Sequence, residues 1–341
     1  MNNEVIHWWL SQQPFSKEEQ SWYEPCTIPF DNTYSEEDNT RFVSYLLGKV
    51  PSDFIVRMAP SATDIINSLF AYYVDDDTLV ISTNIEHPSV VKNLSLCKNM
   101  FKLNLHSDCN FLNVKVINDI LHKVKSYKRV FIYMIGMTND GSLQTSMEFH
   151  RRLRSVLLNA GIDHVYVYDD VQGFFYLPRD YSLFDFVIAT GHAPVAAYDL
   201  GFVLYRSSTE KKFIPGQFGK KRLQHFLRVL DATMKRKEKE LLFESVMRMY
   251  FEGNPYIKFL PSCCPFRCLF TLPIPMTFEQ GVKYFNSDES DVAYCTPDSD
   301  YAKTGVHKLA MRSHMYLRFP DMLYRDLHKI NRLIAAYGLT V

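Results

Sequence analysis

The sequence predicts an α/β protein with a mostly parallel, doubly wound sheet in a large domain and a smaller α+β domain at the C-terminal end. Three observations predict it. From about Asp53 to Tyr205, short β-branched or aromatic runs alternate with segments of helical period, a pattern that favours parallel strands covered by helices on both faces. After Gly216 a charged segment keeps a helical period for some 30 residues. The remainder, from about Asn254, mixes short strands with one amphipathic helix. At 341 residues and 47% hydrophobic content, the chain can bury one large core and a second, smaller one.

Taken in order, residues 1–50 form an N-terminal arm, polar and aromatic without clear period until Glu36 to Leu47, where Phe42, Tyr45 and Leu46 share a helical face. Residues 51–215 form the large domain. Its strands are FIVRM, TLVIST, MFKLNL, RVFIYMI, HVYVYDD, DFVIAT and GFVLYR, and its helices run from Ser61 to Tyr73, Pro88 to Cys97, Val116 to Lys125 and Ser146 to Ala160. Residues 216–250 read as a long linking helix. Residues 251–341 form the small domain, with strands CLFTLPI, VAYCT and MYLRF and a closing helix from Asp321 to Tyr337 that carries Leu323, Leu327, Ile330 and Ile334 on one face.

Composition excludes several classes of function. Lys+Arg and Asp+Glu balance at 38 each, so no global field favours nucleic acid or an anionic membrane, and an anion must be bound locally. No apolar run approaches the roughly 18–20 residues that span a bilayer. The seven cysteines are odd in number and scattered, and the N-terminus lacks a basic segment followed by an apolar one, which predicts a cytoplasmic protein with reduced thiols. Neither G-x-G-x-x-G nor G-x-x-x-x-G-K-[ST] occurs, against a nucleotide-binding sheet. Cys263, Cys264 and Cys268 lack the partner spacing of a zinc site, so no metal is expected.

In open α/β sheets ligands sit at the carboxyl ends of strands, and five polar places fall there. Ser61-Ala62-Thr63 opens a helix, where it is either a cap or a phosphate turn. Glu86-His87-Pro88-Ser89 follows TLVIST, where an imidazole is either structural or laid flat on an aromatic ring. Thr138-Asn139-Asp140-Gly141 ends RVFIYMI, where turn chemistry and an amide donor fit equally well. Asp169-Asp170-Val171-Gln172 ends HVYVY with two carboxylates, which calls for a cation or donor. Thr190-Gly191-His192-Ala193 follows DFVIAT and precedes GFVLYR with no helix between.

This ordered set of S-A-T, E-H-P-S, T-N-D-G, D-D-V-Q and T-G-H-A resembles the fold-type I pyridoxal-phosphate (PLP) enzymes of the class V aminotransferase and cysteine desulfurase group. The resemblance runs from about residue 31 to residue 206, with a weaker echo in Tyr316-Leu317-Arg318-Phe319. It implies PLP as cofactor, with Ser61, Ala62 and Thr63 in the phosphate turn, His87 stacked on the ring, and Asn139 and Gln172 at the ring hydroxyl. Asp169 then pairs with the pyridine nitrogen, which keeps the ring electron-withdrawing. Thr190 and His192 contact the phosphate, and Arg318 clamps the substrate carboxylate. It also implies a homodimer with the active site at the interface; Gly216-Gln217-Phe218 is the loop expected near the partner's phosphate.

The family's Schiff-base lysine falls on Ala193, so both covalent anchor and general base are missing. The chain as written should not turn over. The resemblance implies an enzyme acting on an α-amino acid, foremost an aminotransferase, with Ala193 an inactivating Lys-to-Ala substitution. The alternatives are a β-lyase (carbon–sulfur lyase or desulfurase-like, with Cys295 the nearest sulfur carrier) and, if Ala193 is natural, a non-catalytic binder of PLP or an amino acid.

Overall fold

The structure is a computed structural model, and it describes residues 3–12, 14–21, 46, 49–105, 114–139, 141–191, 200–206, 208, 220–264, 266–273, 277–285, 293–294 and 306–336. Most of the Glu36–Leu47 segment, His192, Ala193, the Gly216-Gln217-Phe218 loop and Cys295 lie outside the described residues. The chain divides into two compact units, one of residues 27–139 and 143–228, the other of residues 1–26, 140–142 and 229–341.

The first unit is built on a seven-stranded sheet of β1 (Phe54–Ala59), β2 (Thr78–Thr83), β3 (Met100–Leu103), β4 (Arg129–Ile135), β5 (His164–Asp169), β6 (Phe186–Thr190) and β7 (Gly201–Arg206). Their order is β1-β7-β6-β5-β4-β2-β3. β7 runs antiparallel to both neighbours, and the remaining pairings are parallel. The expected α/β class and mostly parallel sheet are what the structure has. β2 and β6 are buried at every position, as strands covered on both faces must be.

In the same unit, helices α3 (Ala62–Tyr73), α4 (Pro88–Leu94), α5 (Val114–Val124) and α6 (Met147–Asn159) connect the parallel strands; α1 and α2 precede them in the chain. Ile65, Leu69 and Phe70 on one face of α3 pack into a core with Val80, Phe131, Val167, Ile188 and Val203 of the sheet. Each such side chain contributes roughly 1.5–3 kcal/mol by leaving water, so the register of α3 on the sheet is firmly set. That register fixes where the start of α3 lies. Gly201 is needed beside it, since a Cβ there would come within 2.3 Å of the Ser61 carbonyl carbon.

The second unit has a four-stranded antiparallel sheet in the order β10-β11-β9-β8, formed by β8 (Lys258–Phe259), β9 (Arg267–Pro273), β10 (Ala293–Tyr294) and β11 (Val306–Arg312). Its helices are α1 (Asn3–Ser11), α2 (Lys17–Ser21), α8 (Lys237–Leu241), α9 (Phe243–Tyr250), α10 (Phe278–Phe285), α11 (Ser313–Arg318) and α12 (Pro320–Ala336), and α7 (Lys220–Met234) spans the boundary between the units in sequence. Where one long helix was expected over 216–250, the chain forms α7, α8 and α9. The break falls at Arg236, whose guanidinium reaches the Glu19 carboxylate at 2.9 Å and the Pro14 carbonyl at 3.0 Å, so a tertiary contact overrides helical period.

MYLRF, expected as a strand, is helical. The late strand is instead Val306–Arg312, which pairs with β9 over seven positions, and the Ser313 N–H closes the ladder on the Phe266 carbonyl at 2.9 Å. Tyr316 and Arg318 then face inward from α11, both fully buried. Among the described residues, no helix is long and apolar enough to cross a membrane.

Candidate active site

Strands β1, β2, β4, β5 and β6 end at one edge of the large sheet, where β7 begins. A cavity of about 330 Å³ opens there, lined by Ser61, Ala62, Thr63, Ile66, His87, Ser89, Ile135, Met137, Asn139, Asp169, Val171, Gln172, Thr190 and Leu200. All of these belong to the first unit. Eight of them, Ser61, Ala62, Thr63, His87, Asn139, Asp169, Gln172 and Thr190, are residues that the sequence singled out from five separate segments. Its volume is at the lower end of small-molecule sites.

Ser61 is a true N-cap. Its Oγ accepts the Asp64 N–H at 3.1 Å and donates to the Asp64 carboxylate at 2.8 Å. The N–H groups of Ala62 and Thr63 are first-turn donors with no acceptor inside the helix, and they stand at the cavity where the helix dipole favours an anion. Thr190 closes this corner, with its hydroxyl donating to the Leu200 carbonyl at 2.8 Å.

His87 caps α4. Its Nδ1 accepts the Ser89 N–H at 3.3 Å and stands 2.7 Å from the Ser89 hydroxyl. Accepting at Nδ1 places the neutral ring's proton on Nε2. Pro88 at the first helical position holds the turn. Across the cavity the Gln172 amide donates to the Asn139 side-chain oxygen at 3.1 Å, which ties the end of β5 to the turn after β4.

Asp169 is the buried anion of the site, 5% exposed. One carboxylate oxygen accepts the Tyr133 hydroxyl at 2.7 Å and the other accepts the Val171 N–H at 3.1 Å. Burial pushes its carboxyl up, while the hydrogen bonds from Tyr133 and Val171 and the nearby His87 oppose this. The next residue, Asp170, is directed elsewhere: it is fully buried and accepts the Tyr181 hydroxyl at 2.5 Å, and burial raises it to about 7.

Sequence reasoning missed two groups behind this wall. Tyr133 is the donor that orients Asp169, and the β4/β5 register could have found it: Ile135 pairs with Asp169 and Tyr133 with Val167, so Tyr133 is the same-face diagonal neighbour of Asp169. Glu86 is the second, noticed in E-H-P-S only as a neighbour of His87. Its Oε1 accepts from the Ser82 hydroxyl and the Thr83 and Ile135 N–H groups and stands 2.6 Å from the Thr83 hydroxyl.

Arg318 belongs to the other unit. It is 0% exposed, donates to the Thr233 hydroxyl at 2.7 Å and lies over the Phe15 ring at 5.8 Å. The arginine that ends the late strand is Arg312, directly opposite Arg267 of β9.

A parallel sheet with helices between its strands, an antiparallel strand inserted near one edge and a second α+β unit after it constitute the fold of the fold-type I PLP-dependent enzymes. Among solved structures the chain is similar to the ureidoglycine-glyoxylate aminotransferase of Bacillus subtilis, with a TM-score of 0.66 and 8% identity over 95% of this chain and 91% of that one. It is similar to a NifS-like protein from Rickettsia africae, with a TM-score of 0.61 and 11% identity over 95% and 96%. It is also similar to a Lys-to-Ala variant of serine palmitoyltransferase from S. paucimobilis with a bound PLP-myriocin aldimine, with a TM-score of 0.60 and 11% identity over 96% and 86%. No protein-family model matches the sequence, and no curated protein matches it. At these identities the likeness concerns the fold, and function has to be argued from the site.

Proposed function

We propose that this chain is a PLP protein of amino-acid chemistry whose cofactor site is the cavity at the edge of the large sheet. One observation carries the reading: a single cavity gathers a helix start with free N–H donors, a buried carboxylate, an imidazole with Nδ1 fixed as acceptor, and an amide pair. These residues fit the group. The first turn of α3 with Thr190 suits its phosphate, Asp169 its pyridine nitrogen, His87 its ring face, and Asn139 with Gln172 its ring oxygen. When bound, PLP supplies the electron-withdrawing ring that makes a bond at an amino acid's Cα labile.

The chain's own part is to hold and orient. Tyr133 and the Val171 N–H fix both oxygens of Asp169, so the carboxylate is held in one orientation and keeps acceptor capacity for a ligand. Ile66, Ile135, Met137, Val171 and Leu200 give the cavity apolar walls, where such a charge is weakly screened. Aminotransfer is the leading reaction, with β-elimination next. Buried Cys264, its thiol pushed up to about 12, and buried Cys268 are poor nucleophiles, which weighs against those two as sulfur carriers. We also propose a homodimer acting in the cytoplasm; a dimer mass on light scattering tests the first.

Ala193 favours a second reading, a non-catalytic binder. The test is the absorption spectrum of Ala193→Lys with PLP, before and after a panel of amino acids. A visible band that shifts with one amino acid supports the enzyme and gives its substrate class. PLP binding with no such band in the variant supports the binder.

A further inference from the structure

Glu86 lies between β2 and α4, behind Asp169 and outside the cavity lining. Its Oε1 is 2.6 Å from the Thr83 hydroxyl, 3.1 Å from the Ser82 hydroxyl, and 3.2 and 3.4 Å from the N–H groups of Thr83 and Ile135. Its Oε2 is buried with no hydrogen-bond partner among the described residues. Thr83 Oγ1 is also 2.8 Å from the Ile85 carbonyl. A threonine hydroxyl has one proton to give, and a backbone carbonyl has none. With Glu86 ionised, one of the two short oxygen contacts of Thr83 has no proton in it, and Oε2 carries charge with no donor, which burial disfavours. With a proton on Oε1, Glu86 donates to Thr83, Thr83 donates to Ile85, and both short contacts are hydrogen bonds.

We propose that Glu86 is a positioning residue, held as a neutral acid that donates to Thr83, so that Asp169 is left as the charged carboxylate at the cavity. The role of Asp169 in this statement rests on the proposed PLP site. The titratable groups that face Glu86 are Asp169 of β5 and Tyr133 of β4, with His87 next in the chain, while β2 offers only Ser82 and Thr83. Burial and the Asp169 charge both favour the neutral form of Glu86, whose carboxyl is raised to about 8. Two carboxylates so placed titrate as a pair, and the charge is favoured on the one whose two oxygens both have donors. Asp169 has the Tyr133 and Val171 donors on separate oxygens; Glu86 has one oxygen without any.

The experiment is a carbon-13 NMR titration of side-chain carboxyls in the full chain without added PLP, for the unaltered protein and for Glu86→Gln. The expected results are a Glu86 resonance that stays protonated to a midpoint of about 8, and an Asp169 midpoint that is the same in both proteins. A Glu86 that ionises near the ordinary glutamate range overturns the proposal. So does an Asp169 midpoint that falls in Glu86→Gln, because relief of repulsion means that Glu86 was charged. If Glu86→Gln does not fold, the titration of the unaltered protein decides alone. A Glu86 packed there as an ionised group would repel Asp169, and its replacement would move that midpoint. Neither readout involves PLP, so a failure of PLP to bind would sink the cofactor reading while leaving the protonation of Glu86 as measured.

Discussion

The two units use buried charge in opposite ways. In the smaller one, buried cations are anchors. Arg236 grips Glu19 and the Pro14 carbonyl, Lys239 reaches the carbonyls of Leu10 and Gln12, and the Trp9 indole donates to the Lys239 carbonyl at 3.0 Å. In the larger one, buried carboxylates gather at strand ends, with Asp169 on the cavity and Glu86 behind it. Cations satisfied by backbone carbonyls hold a segment in place. On the proposed reading, Asp169 is the carboxylate kept charged at the cavity, where it has a ligand to meet.

The sharpest way to break this contrast is at Asp169. In Ala193→Lys protein, Asp169→Asn is expected to lower turnover by about 10²–10³-fold with little loss of stability, as measured by steady-state rates and melting. An Asp169→Asn protein that melts far lower at full activity would make Asp169 a structural residue like those of the other unit. Arg318→Ala should do the reverse. It is expected to destabilise by ~2–5 kcal/mol, in the range of large buried truncations, as read from denaturant unfolding. A raised KM for the amino acid at unchanged stability would instead support Arg318 as the substrate clamp expected from sequence.

How legible each unit was follows from the same contrast. In the larger unit, apolar strands with polar residues at their carboxyl ends announced the sheet, and Ser61, His87, Asp169 and Gln172, which line its cavity, could be named without a structure. What could not be read there was contact across strands: Tyr133 touches Asp169 through register, which no local pattern encodes. In the smaller unit, VHKLAMR has weaker apolar alternation than MYLRF, yet it takes the ladder of β9 because seven paired positions outweigh local propensity. The break at Arg236 was equally hidden, since its cause lies more than two hundred residues away at Glu19. His192 and Ala193, named from sequence, lie outside the described residues.

Smaller effects sharpen the comparison through pH. Glu86 has an ordinary value of 4.5 and a folded value of about 8. Between them the folded chain keeps a proton that the unfolded chain has lost, so its contribution is full below pH 4.5 and declines as pH rises to about 8. Asp170, raised from 3.8 to about 7, acts in the same direction. Glu86→Gln should therefore show a shallower fall in stability over that window, and equal slopes would place Glu86 among ionised residues. Ser61→Ala, which removes the cap of α3, should cost about 1 kcal/mol and weaken PLP binding only slightly, since the donors there are the N–H groups of Ala62 and Thr63.

The most direct test of the cofactor site is calorimetric titration of the unaltered protein and of Asp169→Ala with PLP. One PLP bound per chain, with affinity clearly lower in Asp169→Ala, is the result predicted. No binding to the unaltered protein, or binding that Asp169→Ala leaves unchanged, would contradict it.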